Sequence, residues 1–462
     1  MLVLAIYKRC VLIASNTIFA IATAPGRAGV SVLRLSGPLA FAAAMRLSGD
    51  LPQARRATLR TLRRPLDNDA LDNALVLVFT APNSFTGEDV VELHLHGGPA
   101  VVGAVLEALS AEPGLRPAEA GEFTRRAFEN GKLDLTEVEG LADLVDSETE
   151  GQRRQALRQM DGALSRLYEG WRADLIGLMA SLEAEIDFPD EGDVATEALE
   201  IFQSKVLGLK EALAQHLNES KRGERLRDGV RCAIIGAPNA GKSSLLNRLA
   251  GREAAIVSDI PGTTRDVVEV RLILAGAPVW MADTAGLRSA AGAIEAEGIR
   301  RALARAENSD IRIGMVDGAG SAEGWSALPL NPGDLLVIAK SDLAPGVAAD
   351  AARTWASDHG IEVLYASPKS GAGLEALDQW LTARVSALTS LGEAPSLSRL
   401  RHRRHVEDAV AALDRAHHSI HLGPELAGED LRSAAHALGR ITGRVDVEDL
   451  LDKIFSDFCI GK

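Results

Sequence analysis

Cysteine is nearly absent from this 462-residue chain: Cys10, Cys232 and Cys459 are widely separated, odd in number and form no CxxC. A disulfide scaffold has nothing to build on, and a reducing cytoplasm is the compartment that fits. Positive charge is also in deficit, with 50 Lys and Arg against 64 Asp and Glu and a formal charge of −14. That balance argues against non-specific nucleic-acid binding as the main activity, although a local basic patch can act within an acidic whole. No run free of charge reaches the length of a membrane span, and no internal repeat or low-complexity tract occurs. What is there, 46% hydrophobic and 25% charged residues, is ordinary globular composition, and the length predicts two or three domains.

The first residues imitate a secretory signal. Met1 to Ala14 is apolar and Ala22-Thr23-Ala24 resembles a cleavage site, but Lys8 and Arg9 interrupt the apolar stretch. The following IFAIA, TAPGRAG and VSVLRLSG read as strand, turn and strand, so residues 1–15 are taken as a short extension or a misassigned start.

Residues 16 to about 133 alternate short β-rich runs (Val30 to Leu35, Ala74 to Phe79, Val90 to His94) with turns and a helical segment from Pro99 to Leu109, an α+β pattern. From Asp134 to about Leu226 the period becomes helical, and Leu164, Leu167, Trp171, Leu175, Leu178 and Leu182 form an apolar stripe read as bundle core. Residues 227–385 return to α/β alternation, with strands expected at Arg231 to Ile235, Val267 to Leu274, Val279 to Ala282, Ile311 to Val316, Leu335 to Ile338 and Val363 to Ala366. From Leu397 the chain is helical again. The expected architecture is multidomain α/β and α: an N-terminal α+β domain (1–133), a helical domain in two halves (134–226 and 386–462), and an α/β P-loop domain (227–385) inserted between them.

The inserted region carries the chemistry. Gly236-Ala-Pro-Asn-Ala-Gly-Lys-Ser243 reads GxxxxGKS between a strand and a helix (Ser244 to Leu249), the context of a P-loop. Backbone N–H groups from Asn239 to Ser244 can close around phosphates, Ala240 and Gly241 keep the loop slim, Lys242 meets the β/γ-phosphates, and Ser243 can hold Mg²⁺. Gly262-Thr-Thr-Arg-Asp266 offers Thr264 as a second Mg²⁺ ligand, and Asp283-Thr284-Ala285-Gly286 ends a strand where a carboxylate reaches the metal through water and the Gly286 N–H senses the γ-phosphate. In this order and spacing the motifs specify a switch-type nucleoside triphosphatase.

Base choice rests on Ala339-Lys340-Ser341-Asp342, which occupies the place of the guanine-reading NKxD motif. Asp342 is retained to accept from guanine N1 and N2, but Ala339 replaces the Asn. Such a loss costs about 1–3 kcal/mol, roughly tenfold to hundredfold in affinity. In Ser367-Pro368-Lys369, at the place of the SAK motif, Pro368 has no N–H for guanine O6. GTP is therefore expected, with weakened base recognition. Leu287 follows DTAG where Ras-like proteins place a water-orienting Gln, so hydrolysis must use another group.

Beyond these motifs, TAPGRAGVSVLRLSGP, NSFTGEDVVELHLHGG, GEFTRRAFENGKLDLTEVE and the terminal IFSDFCIGK make the chain resemble the MnmE (TrmE) family of tRNA-modification GTPases from Asn16 to Lys462. The resemblance implies an N-terminal folate-binding, dimerising domain, a discontinuous helical domain and an inserted G domain. Asn239 then matches a K⁺ ligand, with Ser258, Asp259, Ile260, Pro261, Gly262 and Thr263 closing over the ion and Ser258, Ile260 and Thr263 sharing it. The cation supplies the charge of an arginine finger once G domains pair. Glu295 matches the acid that orients the hydrolytic water. Arg34, Glu92, Lys132 and Lys462 match positions that bind 5-formyl-tetrahydrofolate or a related folate, and Cys459 matches a cysteine needed for modification.

The implied function is a K⁺-stimulated, homodimeric, cytoplasmic GTPase without membrane attachment. With an FAD-dependent MnmG-like partner, in a heterotetramer, it installs an aminomethyl or carboxymethylaminomethyl group on C5 of the wobble uridine of certain tRNAs. The alternative is a regulatory G-protein switch in ribosome assembly or stress signalling, disfavoured by FCIGK and by the lack of a KH-like GXXG module. Three features take plainer readings. His94 and His96 are a satisfied or solvated pair without companion ligands, Cys10 and Cys232 are small hydrophobes, and Arg125-Arg126 and Arg401 to His405 lie on solvated helix faces, with phosphate contact the minority hypothesis.

Overall fold

The computed structural model describes residues 16–187, 195–251, 255–256, 269–283, 304, 306–320, 328–344, 346–390, 392, 395–445, 451, 454–456, 458 and 460–461. The chain divides into two compact units. The first comprises Met1–Ala142, Gln159–Ala180 and Arg432–Lys462; the second comprises Asp143–Arg158 and Ser181–Leu431. No helix among the described residues is long and apolar enough to cross a membrane.

The first unit is built on a six-stranded sheet: β1 (Thr17–Ile21), β2 (Ala28–Ser36), β3 (Thr58–Arg63), β4 (Ala70–Phe79), β5 (Val90–Gly97) and β6 (Leu115–Pro117), in the order β3-β4-β5-β2-β1-β6. Only the β1–β6 pair is parallel. Period-2 alternation decides the faces. Leu33, Leu35, Val76, Val91, Leu93 and Leu95 form one core with Ala43 and Leu47 of helix Ala40–Ser48 and Val105 and Leu109 of helix Pro99–Ser110. The intervening Arg34, Glu92 and His94 are thereby left for the opposite face.

Helix Ala163–Asp187 buries Leu164, Leu175, Leu178 and Leu182 as the stripe predicts, and also Tyr168, which the stripe omits.

The second unit carries a seven-stranded sheet in the order β13-β12-β11-β7-β10-β9-β8. Its strands are β7 (Val230–Gly236), β8 (Ala255–Ile256), β9 (Glu269–Leu274), β10 (Ala277–Asp283), β11 (Ile311–Asp317), β12 (Leu335–Ala339) and β13 (Glu362–Ala366). Five central strands are parallel, and β8 and β9 complete an antiparallel edge. All five residues of β12 are buried, as a parallel strand covered on both faces requires. One face packs on helices Lys242–Ala250 and Leu374–Thr389, the other on helix Val347–Asp358. The long helices Ala195–Asp228 and Leu400–Ser419 pack together, joined by the Lys210–Asp414 and Arg403–Glu224 ion pairs.

The expected strands from Arg231 to Ala366 all appear within these bounds, except that Val267 and Val268, the first two residues of the expected Val267 to Leu274 strand, lie outside the described residues. Strands β3, β6 and β8 were not expected. The solvated-face reading of two arginine clusters is corrected. Arg126 is 4% exposed and ion-paired, while Arg125 bonds Glu129. In the other cluster His402 is fully buried, Arg403 is paired with Glu224, and Arg404 faces solvent.

Candidate functional site

The C-terminal ends of the parallel strands meet along one edge of the second unit, the usual place for ligands in an open α/β sheet. Register puts Met315 of β11 opposite Gly236 and Asp283 of β10 opposite Ile234; Asp317 is opposite Ala339, and Ala339 opposite Ala366. The phosphate loop leaves β7 at Gly236, where a Cβ would come within 2.4 Å of the Met315 carbonyl oxygen. Gly241 then adopts φ +97° and starts the helix Lys242–Ala250 without any side-chain cap. The first helical N–H groups are thus left for an anion. Asn239 stands exposed at φ 63°, a left-handed conformation that Asn tolerates better than most residues.

Lys242 is only 5% exposed, and its ammonium donates to the carbonyl oxygens of Gly236 (2.8 Å) and Ala237 (2.7 Å). The cation is held across the mouth of the loop, where phosphate oxygens can enter. Ala240 is buried, and Ser243 and Ser244 lie exposed in the first turn of the helix.

The base-reading residues gather on the neighbouring strand ends. Lys340 follows β12 at φ 59°, and its ammonium is 2.5 Å from Asp317 Oδ2. The Ser367 hydroxyl, the Asp342 backbone N–H and the charge of Lys369 hold the Asp342 carboxyl below the usual carboxylate range. Ser367 is buried and the Ser341 N–H donates to the Ala366 carbonyl at 3.4 Å, so the AKSD and SPK segments are brought together although 25 positions separate Asp342 and Ser367. Ala339 is fully buried, and a Cβ on Gly241 would lie 3.9 Å from its methyl group. The missing Asn side chain therefore belongs beside the phosphate loop.

Asp283 ends β10, and its backbone is placed by pairing with β7. Ser258, Asp259, Ile260, Pro261, Gly262, Thr263, Thr264, Thr284, Ala285, Gly286 and Glu295 lie outside the described residues, as do Cys459 and Lys462. Cys232 is buried in β7, and burial pushes its thiol far above the usual range, so it behaves as a small hydrophobe.

The first unit holds a second group of charged residues. Arg34 and Glu92 are cross-strand neighbours on β2 and β5, and the guanidinium donates from Nε (3.0 Å) and Nη2 (2.9 Å) to Glu92 Oε1. Phe85 and Phe123 flank the guanidinium at 5.6 and 5.8 Å. His94 Nε2 lies 3.6 Å from the other Glu92 oxygen, and His96 Nδ1 is 2.7 Å from Asp72. Lys132 bonds the Pro82 carbonyl at 3.0 Å, on the same loop that supplies Phe85.

Sequence reasoning missed what holds that loop. Glu88 accepts from Ser36 Oγ (2.6 Å) and from Arg126 Nη1 (3.0 Å), and Ser84 and Thr86 bond within the same network. The acidic and basic residues were visible in the sequence; their pairing across 38 positions was not.

Comparison with known proteins gives these geometries a lineage. The model described as GTP-binding protein TrmE N-terminus matches residues 17–132, and the one described as MnmE helical domain matches residues 135–459. The tRNA modification GTPase MnmE of Parvibaculum lavamentivorans is 58% identical over 450 residues, covering 97% of this chain and 100% of that protein. The chain belongs to the MnmE family. The MnmE proteins of Maricaulis maris and Rhodospirillum rubrum are 55% and 54% identical, each over 97% of the chain. MnmE membership accounts for the combination of a phosphate loop in one unit and a TrmE N-terminal sheet in the other.

Proposed function

We propose that this MnmE-family chain is a K⁺-stimulated GTPase of tRNA modification. It acts with an FAD-dependent partner to install an aminomethyl or carboxymethylaminomethyl group on C5 of the wobble uridine. The observation that carries this reading is the pairing, in one chain, of a phosphate loop closed by Lys242 with a sheet face bearing the Arg34–Glu92 pair. Its domains run 1–133, 134–226, 227–385 and 386–462, and it works in the cytoplasm as a homodimer that joins its partner in a heterotetramer and takes tRNA as substrate.

The groups this function needs are assigned residue by residue, partly to described positions and partly to positions outside them. Ser243 opens the helix after the phosphate loop, where a hydroxyl can meet Mg²⁺, with Thr264 as the second ligand. Asn239 presents an exposed carboxamide from the loop, a hard oxygen donor suited to K⁺, with Ser258, Ile260 and Thr263 completing the set. A cation there supplies positive charge beside the leaving phosphate. The chain's own part is to hold the phosphates on Lys242 and the loop N–H groups, to read guanine with Asp342, and to orient water through Glu295. On the N-terminal sheet, Glu92 accepts hydrogen bonds from a pterin-like ring. Arg34, Lys132 and Lys462 meet carboxylates, and Phe85 and Phe123 offer flat apolar surface. Cys459 is the cysteine the modification needs.

Three measurements test the reading. GTP turnover by the full chain is expected to be at least tenfold faster in K⁺ than in Na⁺, an order of magnitude set by one well-placed charge; equal rates would remove the Asn239 assignment. Cys459→Ser is expected to leave GTP hydrolysis intact while the wobble uridine stays unmodified, so fully modified tRNA would dismiss a role for Cys459. On the N-terminal sheet, Glu92→Gln keeps the side-chain size but removes the charge that partners Arg34. Affinity for 5-formyl-tetrahydrofolate is expected to fall roughly tenfold or more, the scale of one charge-assisted hydrogen bond. Calorimetry showing unchanged affinity would move the folate elsewhere.

A further inference from the structure

Ala339 leaves the guanine-reading loop without the side chain that would brace it against the phosphate loop, yet the loop is held in a specific shape. Lys340 keeps a left-handed backbone at φ 59°, which a residue with a side chain retains only where its surroundings over-determine it. The surroundings come from the end of β11. Asp317 stands opposite Ala339 in register; its Oδ1 accepts the Ala319 N–H at 3.1 Å and its Oδ2 meets the Lys340 ammonium at 2.5 Å. The backbone repeats the link, since the Gly318 N–H donates to the Ala339 carbonyl at 3.0 Å and the Gly346 N–H donates to the Gly318 carbonyl at 2.7 Å. A Cβ on Gly318 would approach the Ala339 carbonyl to 2.8 Å, so the turn after β11 and the loop after β12 are in direct contact.

We propose that Asp317 is a positioning residue for guanine recognition, replacing through its ion pair with Lys340 the brace that Ala339 cannot provide. An ion pair with side chains 38% and 31% exposed is ordinarily worth little. This one differs in geometry: one carboxylate oxygen is fixed by a backbone N–H, so the other is aimed, and the lysine it holds is two residues from Asp342. The Ser341 N–H between them donates to the Ala366 carbonyl at 3.4 Å, so the base edge meets a loop restrained at two points. Loss of the Asp317 charge frees Lys340, relaxes the loop and misaligns the Asp342 carboxylate, while the phosphate loop keeps its own contacts through Lys242.

The inference rests on the guanine reading of Asp342, and the test separates the two. Fluorescent N-methylanthraniloyl-GDP and N-methylanthraniloyl-ADP are titrated into the full chain, the Asp317→Asn variant and the Asp317→Glu variant, with thermal melting measured on each. Asp317→Asn retains an oxygen for Ala319 but no charge for Lys340. It is expected to raise the Kd for the guanine nucleotide about tenfold, the scale of a lost charge-assisted hydrogen bond, with the adenine value unchanged within about twofold. Asp317→Glu, which keeps the charge, is expected to recover part of that loss. A guanine Kd unchanged in Asp317→Asn overturns the proposal, as does an equal loss for both nucleotides, which marks general damage to the phosphate site. Equal affinity of the unaltered chain for both nucleotides overturns the guanine reading itself and this inference with it.

Discussion

Replacement of Lys242 by alanine is expected to weaken GTP binding at least about a hundredfold and to remove measurable hydrolysis. The ammonium is almost fully buried and bonds two loop carbonyls. In the GTP complex it exchanges these for, or shares them with, phosphate oxygens. Each charge-assisted hydrogen bond contributes about 1.5–3 kcal/mol, so two of them span roughly two to four orders of magnitude in affinity. Alanine also leaves the Gly236 and Ala237 carbonyls facing the phosphates without a cation between them. Arginine does not repair the site, because its planar fork is larger than the buried position and directs its donors differently. Titration calorimetry with a non-hydrolysable GTP analogue, together with steady-state phosphate release, measures both effects. Affinity within tenfold of the unaltered chain would show that the backbone N–H groups alone hold the phosphates.

The second large effect is expected at Arg126, in the first unit. Its guanidinium donates to Glu88 (3.0 and 3.2 Å), to Glu122 Oε1 (3.0 Å) and to the Asn16 carbonyl (2.9 Å). Arg126→Met retains apolar bulk but strands two carboxylates in a half-buried or buried setting. Breaking one partner out of a buried network typically costs about 3–5 kcal/mol. Glu122 keeps its bidentate contact with Arg116 at 2.6 and 2.8 Å, so Glu88 takes most of the loss. Glu88 also anchors Ser36 and, through its carbonyl, Ser84, beside the Phe85 that flanks Arg34. Hydrogen exchange of the full chain should therefore rise in β2 and β5 and in the 80–89 loop. Unchanged protection there would show that the network carries no stability.

Acid should act on the same network. Burial pushes Glu122 upward, but hydrogen bonds from Arg116 and the Glu119 N–H and the charge of Arg126 outweigh it, and the carboxyl titrates below its usual range. A carboxylate with a depressed folded pKa contributes stability that is fully present above its unfolded value, about 4.3, and is lost as pH falls through the folded value. Protection of this unit should consequently decline below about pH 4.

Features encoded within a few neighbouring residues were legible in the chain. The phosphate loop is one such feature: strand, glycine turn, lysine and helix occupy a single short segment, and the structure closes it as the chemistry requires. Strands β7 and β10 to β13 were legible for the same reason, because apolar runs buried on both faces carry their own signal. Strand β3, with its pattern TLRTLR, was not legible, since its identity comes from pairing with β4 rather than from an apolar run.

Which distant charges meet depends on strand register and packing. Arg126 reads as a surface residue in sequence because two of its three partners lie 38 and 110 positions away, and nothing local marks Asp317 before β11 and β12 place it opposite Ala339. Periodicity tells which face of an element is apolar; it carries no information on which distant carboxylate a buried guanidinium or a strained lysine will find. That choice is made by strand register and packing, and it decides whether a charge is solvated, structural or part of a site.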